Sequence, residues 1–236
     1  MIDAKGLYFI DLNHKIKESP ETNLEVRNVL GQRYIGTGVF GKTLTVYGTP
    51  GNALGAYLDR TDIIVNGNGQ DATGDTMDNG RIIIHGNCGD TTGYAMRGGY
   101  IFIKGNAGYR VGIHMKEYKE HKPVIVVGGR TGDFLGEYQA GGIIVVLGIG
   151  VEGCPVGAFC GTGLHGGKIY IRSTIQPTDL PKQVICEKAE DVSEIKEYVE
   201  EYARLFGEDA GKLLASEFFV LRPNSKNPYK QMYTNV

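Results

Sequence analysis

Residues 63–105 read IIVNGNGQDATGDTMDNGRIIIHGNCGDTTGYAMRGGYIFIKG, with short apolar runs starting 19 residues apart at Ile63, Ile82 and Ile101. Each run closes on a glycine: Gly67, Gly86 and Gly105. Working outward, Leu44-Thr-Val-Tyr-Gly48 precedes at the same spacing. Val124-Ile-Val-Val-Gly128 follows after 23 residues, Ile143-Ile-Val-Val-Leu147 after 19, and Ile169-Tyr-Ile-Arg172 after 26. A weaker first copy starts near Leu24. Further glycines keep the register, at Gly55, Gly74, Gly93, Gly112 and Gly136, and a Leu58, Met77, Met96, Met115 series recurs with them.

A fixed period near 20 residues is the mark of a repeat architecture and outranks any local assignment. The β runs are too short to stand as hairpins, and no helix-length pattern lies between them. The expected fold is therefore an all-β solenoid, a right-handed single-stranded parallel β-helix of about seven coils. Glycine, at 36 residues, acts as turn punctuation between apolar runs rather than as low-complexity sequence. From Asp191 onward the pattern becomes helical, with Val192, Ile195, Val199, Tyr202 and Leu205 at three- and four-residue spacing. Ser193 reads as an N-cap and Gly207 as a stop. A second short helix is expected from Asp209 to about Glu217, before an irregular tail marked by Pro223 and Pro228. The expected organisation is an N-terminal cap segment at 1–23, the β-helix at 24–173 and a partly helical segment at 174–236.

Alternation sets the direction of the side chains. The first and third strand residues are expected to point inward: Leu44/Val46, Ile63/Val65, Ile82/Ile84, Ile101/Ile103, Val124/Val126, Ile143/Val145 and Ile169/Ile171. The second position then points outward. Ile64, Ile83, Phe102, Ile125 and Ile144 form a large apolar stripe there, and an exposed stripe of that length needs a cover. The cover is either the chain's own C-terminal segment or a partner polypeptide. The stripe is the candidate partner-facing surface.

Chemistry-bearing patterns are sparse. A net charge of −2 gives no basic surface for nucleic acid or an anionic membrane. No apolar run approaches the ~20 residues of a membrane span, and no signal peptide is visible, so a cytoplasmic location is expected. GxGxxG occurs at Gly36–Gly41, Gly148–Gly153 and Gly161–Gly166, which a glycine-rich chain meets by composition. A dinucleotide site also needs a following helix. Cys154-x5-Cys160-x4-His165 is the one suggestive metal spacing, and small buried packing accounts for it. The column Asn52, Asp71, Asp90 is the best acidic candidate for a carbohydrate-active enzyme, but Asn and Asp in turns bond the local backbone. The charged insertion between Ile113 and Pro123 reads as a solvated bulge. Catalytic, cofactor and metal residues are all expected to be absent.

The aligned unit G-x-x-G-x-x-x-G followed by Met/Leu-x-x-Gly is clearest from Gly86 to Gly99. It resembles the C-terminal GXGXG domain of the large (alpha) subunit of glutamate synthase, over about Leu24 to Arg172. One of the subunits of formylmethanofuran dehydrogenase is similar in the same repeats. The resemblance implies a β-helix that holds amidotransferase and synthase parts together without catalytic residues of its own. It implies a glutamine amidotransferase subunit and an FMN-containing synthase subunit as partners, with FMN and an iron–sulfur cluster on those partners. The family's glutaminase needs Cys after the initiator Met, where this chain has Ile2. Its cluster pattern C-x5-C-x4-C meets His165 in the third place. The expected function is a structural subunit of a glutamate synthase complex, with the repeat-bearing formylmethanofuran dehydrogenase subunit as the alternative. Homo-oligomerisation stays open.

Overall fold

The computed structural model describes residues 1–224. All of its strands lie in one sheet. After β1 (Ile2–Asp3) and helix α1 (Phe9–Glu18) come β2 (Asn23–Leu30), β3 (Thr43–Thr49), β4 (Asp62–Asn66) and β5 (Arg81–Ile84). Then follow β6 (Tyr100–Ile103), β7 (Val124–Val127), β8 (Ala140–Val146) and β9 (Gly166–Arg172). The C-terminal part holds β10 (Val184–Lys188), a 3-10 turn (Ser193–Ile195), α2 (Lys196–Phe206), α3 (Ala210–Leu214) and β11 (Phe218–Pro223). From β1 to β9 every neighbour pairs in parallel and in sequence order.

Why these residues do this follows from what each unit leaves unsatisfied. A strand of four to seven residues buries little alone, so its backbone groups must find partners in the unit before and after it. They do so in the strands and again in the turns. The N–H of Gly55, Gly74, Gly93, Gly112, Gly136 and Gly161 each bonds a carbonyl one unit back, at 2.7–2.8 Å. Asn and Asp side chains join in: Asn68, Asn87 and Asn106 each accept the N–H of the residue opposite in the next unit, at 2.8–2.9 Å.

Two aliphatic columns fill the interior. Pairing places Leu24, Leu44, Ile63, Ile82, Ile101, Ile125, Ile144 and Ile169 in one, and Val26, Val46, Val65, Ile84, Ile103, Val127, Val146 and Ile171 in the other. All are buried. The turn glycines exist for the first column. A Cβ on Gly55, Gly74, Gly93, Gly112 or Gly136 would run into the Cδ1 of Ile82, Ile101, Ile125, Ile144 or Ile169. Leu58, Met77, Met96 and Met115 are fully buried in a further column.

Several expectations need correction. Val124/Val126 and Ile143/Val145 do not point into this interior. In β7 and β8 the register is one residue off the expected one, so Ile125 and Ile144 are the inward residues, while Ile169/Ile171 of β9 point inward as expected. Ile125 and Ile144 therefore leave the outward stripe. The N-terminal segment contains a strand and a helix, with Leu12 and Ile16 of α1 buried against the first unit. Ser193 does not cap α2. It lies in the 3-10 turn, where Asp191 accepts its N–H at 2.9 Å. The second C-terminal helix is shorter, at Ala210–Leu214. Pro223 ends a strand rather than opening an irregular tail, because β11 inserts antiparallel between β9 and β10. Gly207 does stop α2, with φ 76° and its N–H on Ala203 O. Pro228 lies outside the described residues.

Two glycines separate the backbone cost from the packing cost. Gly38 has φ +64° and open space around a would-be Cβ, so Gly38→Ala is expected to cost about 1 kcal/mol. Gly48 has φ +120°, and a Cβ there would strike the carbonyl of Val29 across the β2–β3 ladder. Gly48→Ala should lose several times as much in urea unfolding, and equal losses for the two would contradict this packing.

Candidate functional site

The outward face of the sheet carries the stripe Ile64, Ile83, Phe102, Val126, Val145 and Tyr170, aligned by pairing. It is covered by this chain. Ile195, Tyr198, Val199 and Tyr202 from the 3-10 turn and α2, with Leu213, Phe218 and Val220, form one buried cluster with it. Periodicity explains why: α2 buries Tyr198, Val199, Tyr202 and Ala203 on one side. Phe102 is 1% exposed and Tyr202 is 1% exposed. The Tyr202 hydroxyl donates to Lys104 O at 3.1 Å, beside Gly128, where a Cβ would collide with it.

Polar clamps fix the cover. Glu194 accepts Lys168 Nζ at 2.6 Å and Tyr170 Oη at 2.7 Å, with Lys122 Nζ at 3.4 Å. Burial works against the Glu194 carboxylate, but the Lys168 and Tyr170 bonds outweigh it and hold its pKa below the ordinary value. Burial, then Glu194, pushes the Tyr170 phenol up. Midway along α2, Glu201 meets Arg81, which bonds Asp62 at 2.5 Å and Glu201 at 3.3 Å. The Asp62 bond keeps that guanidinium above its usual pKa.

The other sequence candidates resolve into packing. Asp71 and Asp90 do not form an acidic pair for catalysis. Each accepts a backbone N–H of the following unit at 2.9 Å, from Asp90 and Tyr109. They tie unit to unit, where the expectation was a bond to the local turn. Cys160 is fully buried, and burial followed by Cys154 and Cys186 raises its pKa. Burial raises Cys154 as well, and Cys186 is pushed up to about 11 by burial, then Cys154 and Glu187. Such thiols stay protonated at neutral pH and make poor nucleophiles. Burial also lowers His165, with His114 adding to it. Among the described residues no group of three or more His, Cys, Asp or Glu is placed to hold a metal ion. None of the three GxGxxG stretches leads into a helix. The insertion at 113–123 folds back on the chain: Tyr118 and His121 exchange backbone hydrogen bonds at 3.0 Å, and Glu117 accepts Gly142 N–H at 3.2 Å. No described helix is long and apolar enough to cross a membrane.

Of the open clefts that flank the cover, two lie against α2. One, of about 340 Å³, lies over Tyr100 and Phe102 beside the Arg81–Glu201 pair. The other, of about 680 Å³, lies between Lys104, Arg130, Glu152 and Glu208 at the C-terminal end of α2. Sequence reasoning reaches neither, because both depend on where α2 lands. Neither brings a nucleophile next to a base, so neither is a catalytic constellation.

Comparison with known proteins agrees with the repeat. The model of the GXGXG motif family matches residues 15–225. An uncharacterized protein of Methanocaldococcus jannaschii is 48% identical over 250 aligned positions, covering 99% of this chain and 96% of that one. In fold, the chain is similar to a chain of the formyltransferase/hydrolase complex of Methylorubrum extorquens, solved in complex with methylofuran. That match has a TM-score of 0.66 at 17% identity, over 95% of this chain and 96% of the other.

Three measurements check the cover and the thiols. Phe102→Ala should destabilise by about 3–5 kcal/mol in denaturant unfolding, as for a large buried aromatic. The Glu194 pKa is depressed on folding, so its contribution is present above the unfolded pKa and lost as pH falls through the folded one. Glu194→Gln should therefore be less stable than wild type at neutral pH, with the gap closing below about pH 4. The absence of a gap at neutral pH would show that the Glu194 charge contributes nothing and that its shape alone matters. A thiol-reactive disulfide reagent near pH 8 should label the buried Cys88 and Cys160 slowly until denaturant is added, and rapid labelling of all four cysteines in the native chain would contradict that burial.

Proposed function

The chain belongs to the GXGXG motif family, and from that premise we propose that it is a non-catalytic assembly subunit of a multi-subunit enzyme. Its body is read as a right-handed single-stranded parallel β-helix of about seven coils. Support comes from sequence-ordered parallel pairing, the second ladder through the turns, and the general right-handedness of parallel crossovers. The observation that carries the functional reading is how its polar side chains are used. The recurrent Asn and Asp residues bond neighbouring units, the thiols are protonated, and the interior is filled with aliphatic columns. What such a molecule offers is a long rigid surface.

The complex favoured is one of the formyltransferase/hydrolase kind, in which this chain takes the place that the repeat-bearing subunit holds in formylmethanofuran dehydrogenase. The whole-length similarity to a chain of the Methylorubrum extorquens complex supports this. A glutamate synthase complex is the second reading, favoured by the repeat from Gly86 to Gly99, which both families share. In that case a glutamine amidotransferase subunit and a synthase subunit with FMN and an iron–sulfur cluster would be the partners. Under either reading this chain holds no cofactor and works in the cytoplasm.

Purification of the tagged chain from its own cells, followed by mass spectrometry, tests the proposal. Near-stoichiometric hydrolase and formyltransferase polypeptides are expected. A glutamine amidotransferase with a flavoprotein would replace the first reading by the second. A chain that elutes alone under gentle conditions would overturn both.

A further inference from the structure

Three carboxylates of the cover face one row of the sheet, and only two of them meet a cation. Strand pairing sets the row. Asp62, Arg81 and Tyr100 lie side by side at the start of β4, β5 and β6, and Val124, Ile143 and Lys168 continue it through β7, β8 and β9. Glu194 of the 3-10 turn and Glu197 and Glu201 of α2 follow at three- and four-residue spacing, which puts them on one side of the cover. Glu194 takes Lys168 toward one end of the row, and Glu201 takes Arg81 toward the other. Glu197, between them, shares a cleft with Tyr100, where the strand supplies a phenol in place of a cation.

The cations that α2 and this row bring to the cleft are already engaged. Arg81 is held by Asp62 and Glu201, and Arg204 by Glu201. Lys196 is held by Glu200, and Lys122 and Lys168 share Glu194. Glu197 makes no ion pair among the described residues. Its hydrogen-bond partner is the phenol of the adjacent Tyr198, whose pKa burial, then Glu197, pushes up. The walls of the cleft, about 340 Å³ in volume, include Tyr100, Phe102 and Tyr198. The Tyr100 ring centroid lies 6.3 Å from that of Phe102 and 6.1 Å from that of Tyr198. Tyr100 is 37% exposed and is reached from solvent, while Phe102 and Tyr198 are buried behind it. Aromatic rings attract organic cations, and a carboxylate beside them completes the charge pair.

We propose that the cleft at Glu197 and Tyr100 binds an organic ammonium ion, with the cationic head against Glu197 and the carbon stem over Tyr100. A primary alkylammonium supplies three N–H donors for the carboxylate and phenol oxygens, and an apolar stem for the ring. Its source is a free amine or the lysine side chain of a partner, and both present the same chemistry. An anionic ligand would meet Glu197 unneutralised, and an inorganic cation would gain nothing from an apolar wall. The site is built from this chain's own residues, so it goes beyond the assembly reading and does not depend on it.

An NMR titration of the isotope-labelled full chain with n-butylammonium chloride, at an ionic strength held constant with sodium chloride, tests the site. Saturable shifts clustered at Tyr100, Glu197 and Tyr198 are expected, with n-butanol about tenfold weaker. Glu197→Gln should weaken n-butylammonium by about tenfold and Tyr100→Leu by about threefold, while Tyr100→Phe should retain it. Both positions are exposed, so these variants keep the fold, and their melting temperatures check that. Glu200→Gln, elsewhere on α2, should leave the affinity unchanged. A capped Gly-Gly-Lys-Gly-Gly peptide separates the two sources: binding tighter than n-butylammonium assigns the site to a partner's lysine, and weaker binding assigns it to a free amine. The proposal is overturned if n-butylammonium does not saturate, if n-butanol binds equally well, or if Glu197→Gln leaves the affinity as it was. Because no native partner enters the titration, its failure leaves the co-purification result standing, and the reverse holds as well.

Discussion

Everything in this protein rests on one unit lying in register on the next. A single unit has too few apolar residues to make a core and too few internal bonds to satisfy its backbone. Stacking solves both at once: strand and turn amides bond the neighbouring unit, and isoleucines pile into a continuous column. The fit is close where Ile82, Ile101, Ile125, Ile144 and Ile169 rest on turn glycines of the preceding unit. Those contacts link the glycine period to the isoleucine period, so neither can drift without the other.

That constraint also governs what is left for function. Side chains that would suggest chemistry in another fold, such as Asp71, Asp90 and Asn87, are consumed in holding units together. The outward apolar stripe, extended by Phe218 and Val220 of β11, is consumed too, under the 3-10 turn and α2. What stays free are the turn edges and the charged margins of the cover. Substitutions there do not disturb the columns.

How much can be read from the sequence follows from where alternation survives. In β4 a polar Asn66 follows Ile63 to Val65, and the phase is clear. In β7, Val124–Val127 is apolar throughout because it is buried on both faces, so alternation vanishes. The insertion at 113–123 also breaks the spacing, so a reading by period alone slips by one and puts Ile125 and Ile144 on the wrong side. The helical pattern from Val192 to Leu205 does give α2, and a cover made by the chain's own C-terminal segment is one of the two that the sequence allows. Helix α1 is not legible because only Leu12 and Ile16 face the core, too few for a periodic signal. Strand β11 escapes because Phe218–Pro223 does not share the repeat's spacing and its direction is reversed. The cleft at Glu197 and Tyr100 needs coordinates, since α2 and the strands meet only once folded.

The reversal at β11 has a consequence for size. A parallel edge such as β9 would accept one more unit, or the first unit of another molecule, and nothing in the repeat itself says when to stop. By bonding Ile169 through Arg172, β11 occupies that edge, and β10 beyond it, running the same way as β9, becomes the outer strand. The repeat is thus closed off at β9 by the tail rather than by another unit. A gene that duplicated or dropped an inner unit would still end in the same plug, which leaves evolution free to adjust the reach of the molecule one layer at a time.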